Sequence, residues 1–306
     1  YKIKKIIKKD FLLINGDTYF DINISVLLEN KFRNNLCTIA LTSNNKYKKN
    51  IKINNININK NNLIVFPNDG TNLMNGGIYF CKKEIFKFIV KKKCSFEDDI
   101  LKKLIIKKKI HGIIFKEKFI DIGSHKTIKF LIKNKGFLKQ KAIFLDRDGV
   151  INKLKNNDYI KNYKEFKFLP GVIEGIKYIN KINYLVIIIT NQACIGKGII
   201  NEKNLDTIHF KMKQHLKLKK NAYINDIYYS PYYEFSKNSK YKMNKFDRKP
   251  NPGMLIKAVK KWNIDTKKSL FIGDNITDCI SSKAVKIKFY YKSNLKLISQ
   301  LKKIIQ

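Results

Sequence analysis

The chain has 306 residues, room for two ordinary domains each with its own core, and 44% of them are hydrophobic, as in a globular protein. No apolar run approaches the roughly 18 residues that a membrane span needs, no secretory signal pattern opens the chain, and Cys37, Cys81, Cys94, Cys194 and Cys279 never form a Cys-x-x-Cys pair. Reduced thiols in a cytoplasmic protein with no membrane partner account for this most simply. The formal net charge is +40, yet among the cations only Arg33, Arg147 and Arg248 are arginines, the residue that planar phosphate and base recognition favours. The charge therefore argues against a nucleic-acid partner and for solvated lysine faces that attract small phosphate anions.

Phe11–Ile14 is an apolar run that reads as a strand and closes on Asn15-Gly16-Asp17, a carboxylate beside a glycine at a sheet edge. Ile24–Asn30 reads as a helix, Leu36–Thr42 as a strand and Asn44–Asn62 as an Asn-rich hairpin or loop. Asn75-Gly76-Gly77 leads into a strand where missing side chains would let a ligand approach the backbone. Glu84–Val90 reads as a helix, and Ser95 before Phe96, Glu97, Asp98 and Asp99 is a helix start with acids in its first turn. Phe119–Ser124 then sets Asp121 at a further strand end.

In this order the pieces resemble the later part of the sugar-phosphate nucleotidyltransferases, chiefly the guanylyltransferases acting on mannose 1-phosphate or heptose 1-phosphate. The resemblance implies that Asp17 and Asp121 hold magnesium and that Asn75, Gly76, Glu97 and Asp98 line a sugar pocket. That family opens with a glycine-rich, Arg- and Lys-bearing loop; nothing like it precedes Asp17, and the chain begins at Tyr1 and not at a methionine. Residues 1–133 are therefore expected to be a partial α/β domain that does not transfer nucleotides. A terminal helix over Lys126–Gln140 is expected to run into a Lys-rich linker at 134–140.

From Lys141 the chemistry concentrates. Ala142–Leu145 reads as a buried strand ending in Asp146-Arg147-Asp148-Gly149, and a chain that stayed extended there would point both carboxylates the same way. Two such carboxylates repel and must share a cation or a proton, while Gly149 allows a sharp turn. After a polar loop bearing Asp158 and Tyr159, Pro170-Gly171 opens a helix. Tyr184–Ile189 reads as a buried parallel strand ending in Thr190-Asn191-Gln192, where a hydroxyl and free N–H groups suit phosphate oxygens. Asn201–Lys220 reads as a helix and Asp226–Tyr229 as a strand. Arg248-Lys249 sits before Pro250 and Pro252, stiffly held as a phosphate clamp requires, and Pro252 starts a helix that runs to Trp262. Ser269–Ile272 is a strand closing on Gly273-Asp274, with Asp278 four residues on in a helix; Val285–Tyr290 and Leu295–Ile305 complete the alternation.

Strands alternating with helices, with chemistry at the strand ends, predict a doubly wound parallel sheet over 141–306. Asp146, Asp148, Thr190, Lys249 and Asp274, each in its context, resemble the haloacid dehalogenase superfamily of phosphatases. The Asp-Arg-Asp-Gly-Val-Ile-Asn opening, the Thr-Asn-Gln turn and Arg-Lys-Pro-x-Pro-Gly-Met together look like the D,D-heptose 1,7-bisphosphate 7-phosphatases, whose near relatives are the histidinol-phosphate phosphatases. The resemblance implies that Asp146 is the nucleophile and that Asp146, Asp274 and the backbone carbonyl of Asp148 hold Mg²⁺. It makes Asp148 the general acid and base, with Thr190 and Lys249 binding the phosphoryl group. Arg248, Asn152, Asp158, Asn191 and Gln192 would contact the rest of a sugar-phosphate substrate. Relatives often carry a zinc loop of three Cys and one His, but Ser230, Tyr232, Lys245 and Asp247 stand at those places, so zinc is not expected; Tyr229, Tyr232, Tyr233 and Tyr241 are expected to pack the loop. The rival within enzymes is a histidinol-phosphate phosphatase; from another class, a basic binding protein with a dormant site.

Overall fold

The computed structural model describes residues 4–305 apart from 5, 30, 31, 33, 44–55, 66–72, 91–93, 156 and 243–244. The chain divides into two compact units, Tyr1–Asn134 and Lys135–Gln306. Among the described residues, no helix is long and apolar enough to cross a membrane.

In the first unit β1 (Phe11–Ile14), β2 (Thr18–Phe20) and α1 (Ser25–Glu29) precede β3 (Cys37–Thr42), β4 (Asn57–Ile58), β5 (Ile64–Val65) and β6 (Met74–Cys81). There follow α2 (Lys102–Ile106), β7 (Ile110–Phe115), β8 (Phe119–Asp121) and α3 (His125–Lys133). The main sheet runs β1-β6-β3-β7, antiparallel except where β3 meets β7. Its core gathers Ile39, Leu41, Tyr79, Ile85, Ile100 and Leu104. The helix expected at Glu84–Val90 is a 3₁₀ turn over Lys83–Phe88. Ser95 does start a helical stretch, its hydroxyl accepting the Asp98 N–H, but the first turn, Phe96–Leu101, is π-wound before α2 begins. Of the Asn-rich stretch, residues 44–55 lie outside the described residues; its end forms the antiparallel β4–β5 pair.

The second unit holds β9 (Ala142–Leu145), α4 (Val172–Lys181), β10 (Leu185–Asn191), α5 (Glu202–Lys220), β11 (Asp226–Ser230) and α6 (Gly253–Lys261). β12 (Leu270–Gly273), α7 (Ile276–Ala284), β13 (Lys288–Tyr291) and α8 (Leu297–Ile304) follow. All five strands are parallel, in the order β11-β10-β9-β12-β13. Because side chains alternate across a strand, Ile143 and Leu145 face a core built with α4, α5 and α8, while Ala142 and Phe144 face a second core with α6. Both faces of β9 are thus covered, which is why its sequence is a continuous apolar run. The chain reverses direction of winding at β9, so the switch point of this sheet falls beside the carboxyl end of that strand, where ligands of such folds bind. Two boundaries shift from expectation: Val285 closes α7 and Lys286 turns at φ +58°, so β13 starts at Lys288. The stretch expected as linker is partly tied into the second unit, Gln140 donating to the Asn263 carbonyl and accepting from the Asp265 N–H.

Candidate active site

Asp146 follows β9 directly, and its N–H donates to the Ile272 carbonyl at 3.1 Å, so the residue continues the β9–β12 ladder and its carboxyl emerges at the sheet's edge. There it meets Lys249. The Lys249 ammonium, 4% exposed, is ion-paired with Asp146 Oδ1 at 3.0 Å and Asp278 Oδ1 at 2.6 Å and donates to the Ile189 carbonyl at 2.9 Å. Asn191 fixes the clamp from behind: its Nδ2 donates to the Lys249 carbonyl and its Oδ1 accepts the Lys249 N–H. Burial pushes the Asp146 carboxyl up to about 7, with Lys249 pulling against it and the charges of Asp278 and Asp148 adding to it. For Lys249 burial acts to lower the pKa, but Asp146 and Asp278 outweigh it and the ammonium is held charged.

Asp148 is held quite separately. The strand ends at Leu145 and the chain turns, with the Arg147 carbonyl accepting the N–H groups of Ile151 and Asn152, and the two carboxylates meet different cationic side chains, Asp146 with Lys249 and Asp148 with Arg147. Arg147, 1% exposed, donates to both oxygens of Asp148 through Nη2 at 3.1 and 2.9 Å and through Nε at 3.3 Å. The same guanidinium reaches Gln192 Oε1 at 2.9 Å and His209 Nε2, on α5, at 3.2 Å. Asn152 Nδ2 and Gln192 Nε2 complete the ring around Asp148 at 2.9 and 2.8 Å. Burial alone would raise this carboxyl, but Arg147, Asn152 and Gln192 prevail and hold it below the ordinary carboxylate range. Burial and the facing guanidinium together bring the His209 imidazole down to about 3, so it is neutral and can accept.

A divalent cation fits here. Carboxylate oxygens of Asp146, Asp274 and Asp278 lie within 4.8 Å of one another, a set of hard oxygen donors at one point. Asp274 takes its place there because residue 149 has no side chain: Gly149 sits at φ +81°, and a Cβ on it would fall 2.6 Å from the Asp274 Cγ. Burial, then the Asp278 charge, raises the Asp274 carboxyl.

Asp146, Asp148, Thr190, Lys249 and Asp274 thus meet at the carboxyl ends of β9, β10 and β12, as their motifs predict. Four residues expected on the sugar are used otherwise. Asn152 is wholly buried and Gln192 is 1% exposed, both spent on Asp148; Asn191 holds the Lys249 backbone; Asp158 is paired with Lys155 and Lys161 in its own loop. Arg248 donates to the Tyr232 carbonyl and, with Lys249, lines a cavity of about 220 Å³ under Tyr232 and Tyr233. A larger hollow of about 680 Å³ opens between Gly196–Asn201 and the loop after β11, where the Lys197 ammonium stands over the rings of Tyr159 and Tyr233. At the places of the zinc ligands, Ser230 is buried and Asp247 is paired with Lys257, while Tyr229 and Tyr241 pack on Cys194, Ile195 and Leu205. Sequence reasoning missed three members. Asp278 was legible from its spacing after Gly273-Asp274, which turns it back toward the strand end; Arg147 and His209 carried no such signal.

In the first unit Asp17 and Asp121 do come together: Ile122 donates to the Asp17 carbonyl, and a Cβ on Gly123 would lie 3.0 Å from Asp121 Oδ1 and 3.5 Å from Asp17 Oδ2. Asn75 and Glu97 are joined by a 3.0 Å hydrogen bond, with the Tyr79 hydroxyl bonded to both. Gly76 is not an opening for a ligand, since the Phe20 ring and the Ala40 carbonyl fill the space where a side chain would go. Asp98 serves its own helix start, bonded to Ser95 and Lys102.

A family model described as polynucleotide kinase 3 phosphatase matches residues 141–297. Among curated proteins, the D-glycero-beta-D-manno-heptose-1,7-bisphosphate 7-phosphatase of Rhodopseudomonas palustris is 34% identical over 49% of this chain and 81% of its own length. The D-glycero-alpha-D-manno-heptose-1,7-bisphosphate 7-phosphatase of Photorhabdus laumondii is 39% identical over 46% of this chain and 75% of its own. Among solved structures, D,D-heptose 1,7-bisphosphate phosphatase from B. bronchiseptica, complexed with magnesium and phosphate, aligns with 22% identity and a TM-score of 0.47 over 55% of this chain and 99% of that one.

Proposed function

The chain belongs, through residues 141–297, to the haloacid dehalogenase superfamily of phosphatases and is a phosphoric monoester hydrolase, and from that premise we propose that it removes the 7-phosphate of a D-glycero-D-manno-heptose 1,7-bisphosphate. The observation that carries this reading is the convergence of Asp146, Lys249, Asp274 and Asp278 at one strand end, with Asp148 held beside them. The curated relatives reported above are named for heptose bisphosphates of both anomers.

In this mechanism Asp146 attacks phosphorus and becomes an aspartyl phosphate, dividing one hard displacement into two easier ones. Asp148, in its protonated form, gives its proton to the departing sugar alkoxide and then, as the carboxylate, takes the proton of the attacking water. Thr190 accepts from Gln192 Nε2 at 2.9 Å, so its own hydroxyl proton is the one it can offer to a phosphoryl oxygen. Lys249 offsets negative charge on the nucleophile side, and Arg248 faces the rest of the substrate. Mg²⁺ held by Asp146, Asp274, Asp278 and the Asp148 carbonyl would supply the neutralisation that lets an anionic nucleophile approach an anionic phosphate.

The first unit is read as a sugar-phosphate nucleotidyltransferase-like domain, supported by the Asp17–Asp121 and Asn75–Glu97 pairings. Its presence beside the phosphatase suits a cytoplasmic route in which heptose 1-phosphate is next activated with a nucleotide for surface glycan. The test is phosphate release from both anomers of heptose 1,7-bisphosphate and from histidinol phosphate, with Asp146→Asn as control. Fastest turnover of a heptose bisphosphate, abolished in Asp146→Asn, is expected. Faster turnover of histidinol phosphate would replace the substrate, and strong duplex binding at physiological salt without phosphate release would replace the enzyme.

A further inference from the structure

Asp148 accepts three hydrogen bonds from one guanidinium and two from side-chain amides, and every donor is itself held. Gln192 is pinned at both ends of its amide, the oxygen by Arg147 Nη2 and the nitrogen by Asp148 and Thr190. Arg147 is pinned from the far side by His209, so that the fork has a fixed partner on each nitrogen. His209 sits on α5, 62 residues along the chain, and is buried with the guanidinium between β10 and that helix. A buried arginine without a solvent-facing proton is a costly feature, and here its bonds all converge on one carboxylate, one amide and one imidazole.

We propose that Arg147, braced by His209, is a positioning residue that sets the orientation of the Asp148 carboxyl toward the leaving oxygen and the attacking water. The proposal rests on the acid and base role given to Asp148 above. It assigns work to the side chain of the middle residue of the Asp-Arg-Asp triplet, whose backbone N–H donates to Asp146 Oδ1 at 2.7 Å while its guanidinium turns to Asp148, Gln192 and His209, and it makes α5, a helix otherwise remote from the chemistry, part of the support. A lysine at 147 would keep the positive charge but lose the planar fork, and so would hold one oxygen of Asp148 and leave its plane free to turn.

The leaving group separates positioning from mere stability. A sugar alkoxide needs a proton as it departs, whereas p-nitrophenolate does not; both substrates still need a base to activate water in the second step. Kinetics of wild type, Arg147→Lys, His209→Leu, His209→Gln and Asp148→Asn are compared on the best alkyl phosphate substrate and on p-nitrophenyl phosphate, with folding followed by circular dichroism. Arg147→Lys is expected to lose on the order of a hundredfold in kcat on the alkyl phosphate, with KM changed little. On p-nitrophenyl phosphate it should show a burst of nitrophenolate equal to the enzyme concentration followed by slow turnover. His209→Leu should show the same pattern more weakly, and His209→Gln, which keeps an acceptor, should recover most of the rate. If Asp148→Asn shows the leaving-group pattern and folded Arg147→Lys does not, or if Arg147→Lys loses both substrates equally without a burst, the positioning role is overturned. If Asp148→Asn itself lacks the pattern, the acid and base assignment fails first and takes this inference with it.

Discussion

Asp146 and Asp17 both stand just past a short apolar strand, and both come close to a second aspartate brought in from far along the chain. Their settings diverge from there. Asp146 is 9% exposed, ion-paired to a lysine that is itself buried, and surrounded by carboxylates and donors from β10, α6's leading loop and α7. Asp17 is exposed and rests on the two-stranded β2–β8 pair, where the bonds around it are made by backbone. A strand-end aspartate becomes reactive when distant segments bury it and return a cation to it; the local motif supplies only the starting position. The charged pairs of the two units sharpen this contrast most. Lys249→Met would leave Asp146 and Asp278 buried without their cation, and a loss of about 3–5 kcal/mol in the urea unfolding of the second unit is expected, together with loss of phosphatase activity. Lys102→Met removes the exposed partner of Asp98 in the first unit and should cost about 0.5 kcal/mol or less. Equal effects would erase the distinction.

Two glycines extend the comparison to the backbone. Gly149 lies at φ +81° with the Asp274 carboxyl packed where a methyl group would go, whereas Gly16, beside Asp17, has nothing within 4 Å of that position. Gly149→Ala is expected to cost about 1–3 kcal/mol through the left-handed conformation alone and to displace Asp274, so activity should fall even at temperatures where the protein stays folded. Gly16→Ala should change stability by no more than about 0.5 kcal/mol. Thermal unfolding of the two variants, with phosphate release measured on each, checks both statements.

The second unit was largely readable from its sequence because β9, β10 and β12 are continuous apolar runs buried on two faces, and the Asp146, Thr190 and Asp274 motifs sit at their carboxyl ends where topology must gather them. The residues misread were those whose role depends on partners supplied by the fold. Asn152, Asn191 and Gln192 look like free amides beside a catalytic strand, but an amide satisfies a buried carboxylate or a backbone as readily as it meets a sugar hydroxyl, and only packing decides. Arg147 was hidden for the same reason: a cation between two aspartates in sequence reads as a surface turn until His209 and Gln192 are seen to enclose it. In the first unit the strand ends were legible and the Ser95 cap with them, while the π-wound turn that follows has no signature in residue type.

The effect expected of pH concerns the two buried histidines. His111, in the first unit, stacks on Phe32 and faces Asn35, and burial alone lowers its pKa; His209 faces the Arg147 guanidinium as well and is brought down to about 3. In an unfolded chain either imidazole takes up a proton near pH 6.5, so below that pH the unfolded state binds a proton that the folded state refuses. The stability due to His209 is therefore complete above about pH 6.5 and is lost as pH falls toward 3, by about 2 kcal/mol at pH 5. His209→Gln keeps an acceptor for Arg147 and cannot titrate, so the difference between wild type and this variant should shrink steadily between pH 7 and pH 5 if measured as urea unfolding of the second unit. His111→Gln should alter the slope less, because among the described residues no guanidinium faces that ring. A difference that stays constant with pH would mean that His209 takes up its proton as readily in the folded protein as in the unfolded chain, and Arg147 would then have to turn away from it.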